Sequence, residues 1–474
     1  MNFDLLRVLP ELFQLLLVLG LFVQTCSSQK SQGEVAWVPA AAGFGVLVAA
    51  VSLVQAGSAA MFHGAYQIDA MSQFFKLAVA LGFFVAVLNG WGQKTLADEK
   101  RTDYLLFLGL SAWGLMLLAS SVELVTMFVA LEVSSYSLFA VVPLRARSKK
   151  AAEAGIKYIL FGAAASAVSL FGLSYIIAGQ HTTYIAALAA KPWGFSEAPV
   201  ACLGLALFLA GFFYKLALFP FHFWAPDVYD GTSNETAAFV ATLPKLGAVV
   251  VLVRLAALLH PGVGVTTFIA VLGALSMTFG NLAALAQTDL KRLLGYSSVA
   301  HAGYVTLGLV AGTSLGLAAA AFYSLVYLLM NLTCFWVICR VADDGRNLSL
   351  SDLDGLARRA PGLALILLVA AFALVGLPPT AGFTGKLYLL TAAWDRGYDW
   401  LVIVAALNTA ISIYYYLNMV RHAYTHEPEN APAVKAHPCS VAVGGLLAAC
   451  VLALGVFPAR IFDIVLTAGK ALLH

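Results

Sequence analysis

The sequence predicts an all-α polytopic membrane protein of about fourteen transmembrane helices, and three observations carry that reading. The chain has 474 residues, of which 61% are hydrophobic and only 11% charged. A soluble domain could not hide so much apolar surface. The apolar residues fall into runs of roughly 20, the length that crosses a bilayer. Basic residues then alternate between one connection and the next, as they do when only one side of the membrane is rich in Lys and Arg.

The runs lie at approximately 4–26, 35–56, 70–92, 103–119, 122–144, 154–178, 199–223, 236–258, 264–286, 293–312, 315–339, 361–393, 398–422 and 438–457. The connections are short, and no soluble domain is inserted. The longest polar one, Asp343 to Arg359, reads as a surface loop or an interfacial helix. Odd-numbered connections carry Lys30, Lys94, Lys100, Arg101, Arg145, Arg147, Lys149, Lys150, Lys291, Arg292, Arg340, Arg346, Arg358, Arg359, Arg421 and Lys435. Against those sixteen, the even-numbered connections carry two, Lys191 and Arg396. The odd connections are therefore expected on the cytoplasmic side and both termini outside, in the periplasm of a bacterial inner membrane. The first run contains Pro10 and Glu11 and has no basic start or small-residue cleavage site, so no cleavable signal is expected.

Several functions are excluded early. The net charge is only +3, which gives no footprint for nucleic acid. The cysteines Cys26, Cys202, Cys334, Cys339, Cys439 and Cys450 sit singly in apolar surroundings, and no CxxC or Cys/His cluster is present. Metal or iron–sulfur ligation is not expected. Neither GxGxxG after a strand nor GxxxxGK[ST] occurs, so the chain shows no nucleotide site of its own.

Two segments match 171 positions apart. Gly211-Phe212-Phe213-Tyr214-Lys215-Leu216-Ala217-Leu218 and Gly382-Phe383-Thr384-Gly385-Lys386-Leu387-Tyr388-Leu389 both read GFxxKLxL, and a tryptophan follows each, Trp224 and Trp394. Span seven runs inward and span twelve outward, so the match reads as an inverted-topology repeat. The expected organisation is a three-helix region at 1–102, two antiporter-like repeats at 103–258 and 264–422, and a last span with its tail at 438–474. Prolines accompany both lysines: Pro220 follows Lys215, and Pro378-Pro379 precede Lys386. The run 361–393 is too long for one straight span, and a break at Leu377–Gly382 resolves it. Broken helices are therefore expected at spans seven and twelve, where protein or water must satisfy the freed backbone groups. Pro244, just before Lys245, is expected to loosen span eight in the same way.

Charges inside the bilayer are expensive and mark pathways for ions or protons. Glu132, Lys215, Lys245 and Lys386 sit deep in spans five, seven, eight and twelve, and are read as a proton relay. Lys215 falls in the inner half, Lys245 at the centre and Lys386 in the outer half, an ordering that suggests a path. Glu132 is the natural partner of Lys215. Two unit charges about 4 Å apart are worth roughly 4 kcal/mol at an effective dielectric near 20, or about three pKa units. Separating such a pair would push a proton onward. Weaker candidates carry two readings each. Lys157 is a relay member or a surface partner of Glu153 four residues earlier. His222, seven residues after Lys215 and thus on the same helical face, is a proton donor or an interfacial residue. His301 is a relay member or a satisfied core histidine. Ser120-Ser121-Val122-Glu123 fits a capping box, which makes Glu123 structural. Lys76 and Arg254, near span ends, read as snorkelling anchors. Asp227, Asp230 and Glu235 read as a solvated acidic loop or a proton-collecting mouth.

Three longer strings carry a family resemblance. Phe219-Pro220-Phe221-His222-Phe223-Trp224-Ala225-Pro226-Asp227-Val228-Tyr229-Asp230-Gly231 resembles a signature of the subunit N family of NADH-quinone oxidoreductases. Lys291 to Tyr304 is similar to its KRxLAYSSIAHAGY pattern, and Gly376 to Lys386 to its GIPPTAGFxGK segment. The resemblance runs from about span four to span thirteen. It implies a proton-pumping, antiporter-like subunit in the membrane arm of respiratory complex I. The partners would be other membrane-arm subunits and lipid. NADH, FMN, iron–sulfur clusters and quinone would belong to other subunits, and no cofactor to this chain. In that family a span-five glutamate pairs with a span-seven lysine, a span-eight lysine is central, and a span-twelve lysine leads outward. Glu132, Lys215, Lys245 and Lys386 stand at those positions. The lysine of span twelve separates the chain from the related subunit M, which has glutamate there, and the short C-terminal region from subunit L. Thr232-Ser233-Asn234-Glu235-Thr236 departs from the family's Pro/Thr-rich run, as do Asp289 and Gly295 from its usual residues. The alternatives are a subunit of a multisubunit cation/proton antiporter and a mainly structural subunit.

Overall fold

The computed structural model describes residues 5–26, 35–55, 57–92, 94–145, 148–194, 196–258, 264–425, 434 and 437–473. Lys30, Arg147 and Lys435, counted above for orientation, lie outside them. Among the described residues the chain is a bundle of nineteen α-helices with one short hairpin. The N-terminal region comprises α1 (Leu9–Cys26), α2 (Val38–Val54) and α3 (Ala70–Gly90), with β1 (Ala59–Met61) and β2 (Tyr66–Ile68) paired between α2 and α3. Next come α4 (Arg101–Ser120), α5 (Leu124–Val141), α6 (Lys149–Gln180), a short α7 (Ile185–Ala189), α8 (Pro199–Leu216), α9 (Trp224–Gly231) and α10 (Asn234–Leu255). The remainder comprises α11 (Gly264–Leu285), α12 (Leu290–Ala311), α13 (Ser314–Val341), α14 (Leu356–Arg359), α15 (Pro361–Val375), α16 (Ala381–Trp394), α17 (Asp399–Thr425), α18 (Pro438–Val456) and α19 (Ala459–Leu473). Twelve helical segments are long and apolar enough to span a membrane, and Val38–Val54 and Pro361–Val375 are shorter apolar helices.

Polar caps start many of these helices, because the first N–H groups of a helix have no partner inside it. Asp69 accepts from Ser72 N at 2.7 Å and Ser72 Oγ accepts from Asp69 N, a reciprocal box at the start of α3. Ser148, Ser233, Asp289 and Thr313 cap α6, α10, α12 and α13. At α5 the expected box is corrected. Glu123 is itself the cap, accepting from Val125 N and Thr126 N, and Ser120 closes the preceding helix.

The bundle has a protein-buried centre and a lipid-facing rim. The spanning window of α10 is 100% buried, whereas that of α6 is only 28% buried. The rim of α6 presents Ile156, Leu160, Phe161 and Phe171. Lipid tails are as apolar as leucine, so helices associate through close packing rather than water exclusion. Small residues allow that approach. A Cβ on Gly172 would lie 2.4 Å from Phe208 N across the α6–α8 contact, and one on Gly303 2.6 Å from Gly273 O across α11–α12. Pro244 does not break its helix: α10 runs continuously through it, and Tyr327 Oη donates to the nearby Ala241 carbonyl at 3.1 Å. Full burial among neighbouring helices holds α10 in shape despite the missing N–H. The connection Asp343 to Arg359 folds into a one-turn 3-10 helix, Leu350–Leu353, followed by α14. After α18 the chain forms α19, whose Phe462 packs on Tyr388 at 3.9 Å between ring centroids.

Candidate functional site

Five titratable side chains of the expected relay are removed from water: Glu132 is 7% exposed, Lys215 4%, Lys245 3%, His301 3% and Lys386 4%. They arise from five helices, α5, α8, α10, α12 and α16, that meet inside the bundle.

Lys215 is the last residue but one of α8. The helix ends there because Ala217 turns left-handed, φ 61°, and the chain runs without helix until Trp224 opens α9. The carbonyl of Tyr214 is taken by Trp224 Nε1 at 2.8 Å. The ammonium of Lys215 lies 5.5–5.7 Å from the ring centroids of Phe139, Tyr158 and Tyr214. Such ring faces attract a desolvated cation by about 0.5–2 kcal/mol each. The expected ion pair with Glu132 is not formed. Ser166 of α6 donates instead to Glu132 Oε1 at 2.7 Å, and Oε2 is buried without a hydrogen-bond partner. Glu132 acts on Lys215 through space rather than by contact.

Beyond Leu216 a cavity of about 10 Å³ is lined by Lys245, His301, Ser324 and Tyr327. That is about the space one water needs. Lys245 Nζ donates to the Ser298 carbonyl of α12 at 3.2 Å and lies 5.5 Å from the Tyr327 ring. One turn further along α12, His301 is held at both ring nitrogens. Nδ1 is 2.7 Å from the Tyr323 hydroxyl and Nε2 3.1 Å from that of Tyr416, which also pairs with Ser297 Oγ. The imidazole feels the charges of both Lys386 and Lys245. Lys386 Nζ donates to the Val375 carbonyl at 2.9 Å and sits 4.3 Å from the centre of the Tyr304 ring. Val375 is the last residue of α15, and the helix resumes at Ala381.

Two weaker candidates stand elsewhere. His222 does not share a helical face with Lys215, because α8 stops at Leu216. It packs instead on Phe219, Phe223 and Phe279, with Nδ1 unpartnered. Lys157 is a third exposed and bridges Glu153 at 2.8 Å and Asp227 at 2.7 Å. With Lys150, Asp230 and Arg292 these charges line an open cleft of about 210 Å³. Burial pushes the Asp227 carboxyl up, but Lys157 and Arg292 outweigh it and hold the group below its usual range. Glu235 is not in a solvated loop: it is 2% exposed and accepts from Thr95 Oγ1.

The remaining corrections concern anchors. Lys76 is fully buried and ion-paired with Glu11, and Arg254 grips Asp69 with two bonds of 3.1 Å. Neither snorkels. Composition did not reveal these partners, nor Ser166, Tyr323 and Tyr416, because hydroxyls inside apolar helices leave no mark in hydropathy. The run Tyr414-Tyr415-Tyr416 inside α17 was the one visible signal for the tyrosine that meets His301.

Comparison with known proteins bears on this geometry. The family described as NADH:quinone oxidoreductase/Mrp antiporter matches residues 121–412. The chain is 62% identical over 98% of both chains to NADH-quinone oxidoreductase subunit N 2 of Solidesulfovibrio magneticus. It is 46% identical over 96% of both to the protein of that name in Opitutus terrae. Among solved structures, a chain of respiratory complex I from Thermus thermophilus superposes with a TM-score of 0.81 at 33% identity, covering 96% of this chain and 98% of that one. A chain of the Mrp complex from a Dietzia species shares the fold, with a TM-score of 0.88 at 20% identity over 100% of this chain and 98% of that one.

Proposed function

Since this chain belongs to the subunit N family of NADH-quinone oxidoreductases, we propose that it translocates protons as a membrane-arm subunit of that complex, in a bacterial inner membrane. NADH oxidation and quinone reduction take place in other subunits. The observation that carries the reading is the row of buried groups Lys215, Lys245, His301 and Lys386, each held by neutral partners rather than by a fixed countercharge. A buried ammonium without a bound carboxylate is near the balance at which it can give up its proton. Glu132 biases that balance at Lys215 from a distance. Lys245 takes the proton through the water-sized cavity beside Leu216, and the hydroxyls of Tyr323 and Tyr416 with His301 lead it toward Lys386. The parts at 103–258 and 264–422 supply one lysine-bearing helix break each, in keeping with two repeats. Both termini face the periplasm in this reading, as the basic residues direct.

The test is NADH-driven acidification of inverted membrane vesicles, with Lys215→Ala compared to wild type at verified assembly. The expected result is a strong loss of pumping together with slower coupled quinone reduction. Full retention of both would overturn the relay. The Mrp-like fold favours one alternative, a cation/proton antiporter. Proton movement driven by a sodium gradient without NADH would select it.

A further inference from the structure

The most deeply buried ion pair among the described residues lies outside the relay. Glu11 of α1 and Lys76 of α3 meet with side chains 6% and 0% exposed, and the Tyr66 hydroxyl donates to the same carboxylate oxygen, Glu11 Oε1. Lys76 Nζ is 5.5 Å from the Tyr66 ring. The other charged groups facing this cluster are Asp69, at the start of α3, and Arg254, near the end of α10. Those two neutralise each other in a bidentate pair, while Arg254 also donates to the Ala119 carbonyl. Glu11 and Lys76 are therefore each other's only close ionic partner.

A structural clamp is a poor account of this pair. Burying two charges costs several kcal/mol per ion, and apolar side chains of the same volume often pack at least as stably. The cluster is also incompletely bonded: Glu11 Oε2 is buried without a hydrogen-bond partner among the described residues. Glu11 is the third residue of α1 and Lys76 the seventh of α3, so both lie within about 10 Å of helix ends. The distribution of basic residues puts those ends on the outer side. Arg254 ties the cluster to α10, the helix that carries Lys245 nine residues earlier.

We propose that Glu11, Lys76 and Tyr66 form a further proton-exchange site, which passes protons between this chain and water on the outer side. The inference rests on the proton-translocating reading above. In the step, an N–H bond of Lys76 breaks as an O–H bond forms on Glu11, and the pair passes from two charges to none. Glu11 then gives the proton to water, and Lys76 is recharged from the interior. Tyr66 stays protonated and positions the carboxylate.

Infrared spectroscopy of the purified complex reads the occupancy directly. A carboxylic C=O band should grow as the pH falls, disappear in Glu11→Gln and shift in Glu11→Asp. A spectrum with no Glu11-dependent band, over the pH range in which the complex stays intact, overturns the site. Vesicle pumping gives the second test, with Glu11→Gln/Lys76→Met beside Lys215→Ala at equal assembly. The expected result is a loss of protons per NADH in the double variant as large as in Lys215→Ala, with Glu11→Asp restoring most of it. Normal pumping in the double variant with loss in Lys215→Ala removes this site and leaves the relay standing. Normal pumping in both removes the reading on which it rests. Should the double variant fail to assemble, the infrared titration of wild type against Glu11→Asp decides.

Discussion

The two helix breaks carry the same string, GFxxKLxL, and use its lysine in opposite ways. At the first, α8 ends just after Lys215, and the Tyr214 carbonyl is shared by the Trp224 indole and Ala217 N. Lys215 is left among three aromatic rings, with no hydrogen-bonded partner among the described contacts. At the second, the break precedes Lys386, and the lysine itself takes the freed Val375 carbonyl. One lysine is released by its break and the other is bound by it. A charge held only by ring faces can shift its proton or its side chain at little cost. A charge that also satisfies a buried carbonyl is anchored, because leaving that carbonyl unpaired costs about 1–3 kcal/mol.

That contrast can be broken by experiment, and the largest effect is expected at Lys215. Lys215→Met should abolish this chain's share of NADH-driven pumping while leaving the thermal stability of the purified complex unchanged or slightly higher. A large stability loss would show that Lys215 is anchored after all. Lys386→Met should lose pumping too, but with a local destabilisation of about 1–3 kcal/mol from the orphaned Val375 carbonyl. Faster amide exchange across residues 376–380 would report it, and unchanged exchange would equate the two lysines. Trp224→Phe removes one of the two donors to the Tyr214 carbonyl, which keeps its bond from Ala217 N, and should cost about 1 kcal/mol, less than Lys386→Met, read as slightly faster exchange across 214–223 with only a partial loss of pumping. Tyr416→Phe removes the hydroxyl that meets both His301 Nε2 and Ser297 Oγ, leaving His301 only its Tyr323 partner at Nδ1, and should cost about 1 kcal/mol with a measurable slowing of proton transfer. The smallest effect belongs to the cleft outside the relay. Asp227 titrates below its usual value, so its ties to Lys157 and Arg292 are at full strength above pH 3.8 and are lost as the pH falls through the lower folded-state value. Asp227→Asn should remove that acid limb from a pH titration of stability and change little near neutrality, by at most about 1 kcal/mol for partly exposed pairs.

The charges proposed as a relay were legible in the chain because charge inside a 20-residue apolar run is unmistakable. Glu132, Lys215, Lys245 and Lys386 could be picked out that way, and all four are buried. The helix ends at Leu216 and Val375 had a mark in the sequence too, since Pro220 and Pro378-Pro379 sit beside lysines. Pro244 looked the same in sequence and does not interrupt α10, because the surrounding helices hold that segment on every side. Lys76 and Arg254 looked like snorkelling anchors because their partners, Glu11 and Asp69, lie 65 and 185 positions away along the chain. His222 was placed on the Lys215 face by counting through a helix that ends at Leu216.

By itself the sequence determined that this chain is a polytopic membrane protein, roughly where its apolar helices lie, and where charged side chains are placed along each one. Those are properties of single segments, set by hydropathy and by the length of a helix turn. Which charge meets which partner was decided only by the tertiary structure. That structure set Lys215 among rings instead of against Glu132, joined Lys386 to Val375, and paired Lys76 with Glu11. The reason is physical: inside a membrane a buried polar atom takes whatever partner the neighbouring helix brings within about 3 Å, and helix packing, not spacing along the chain, sets that neighbour.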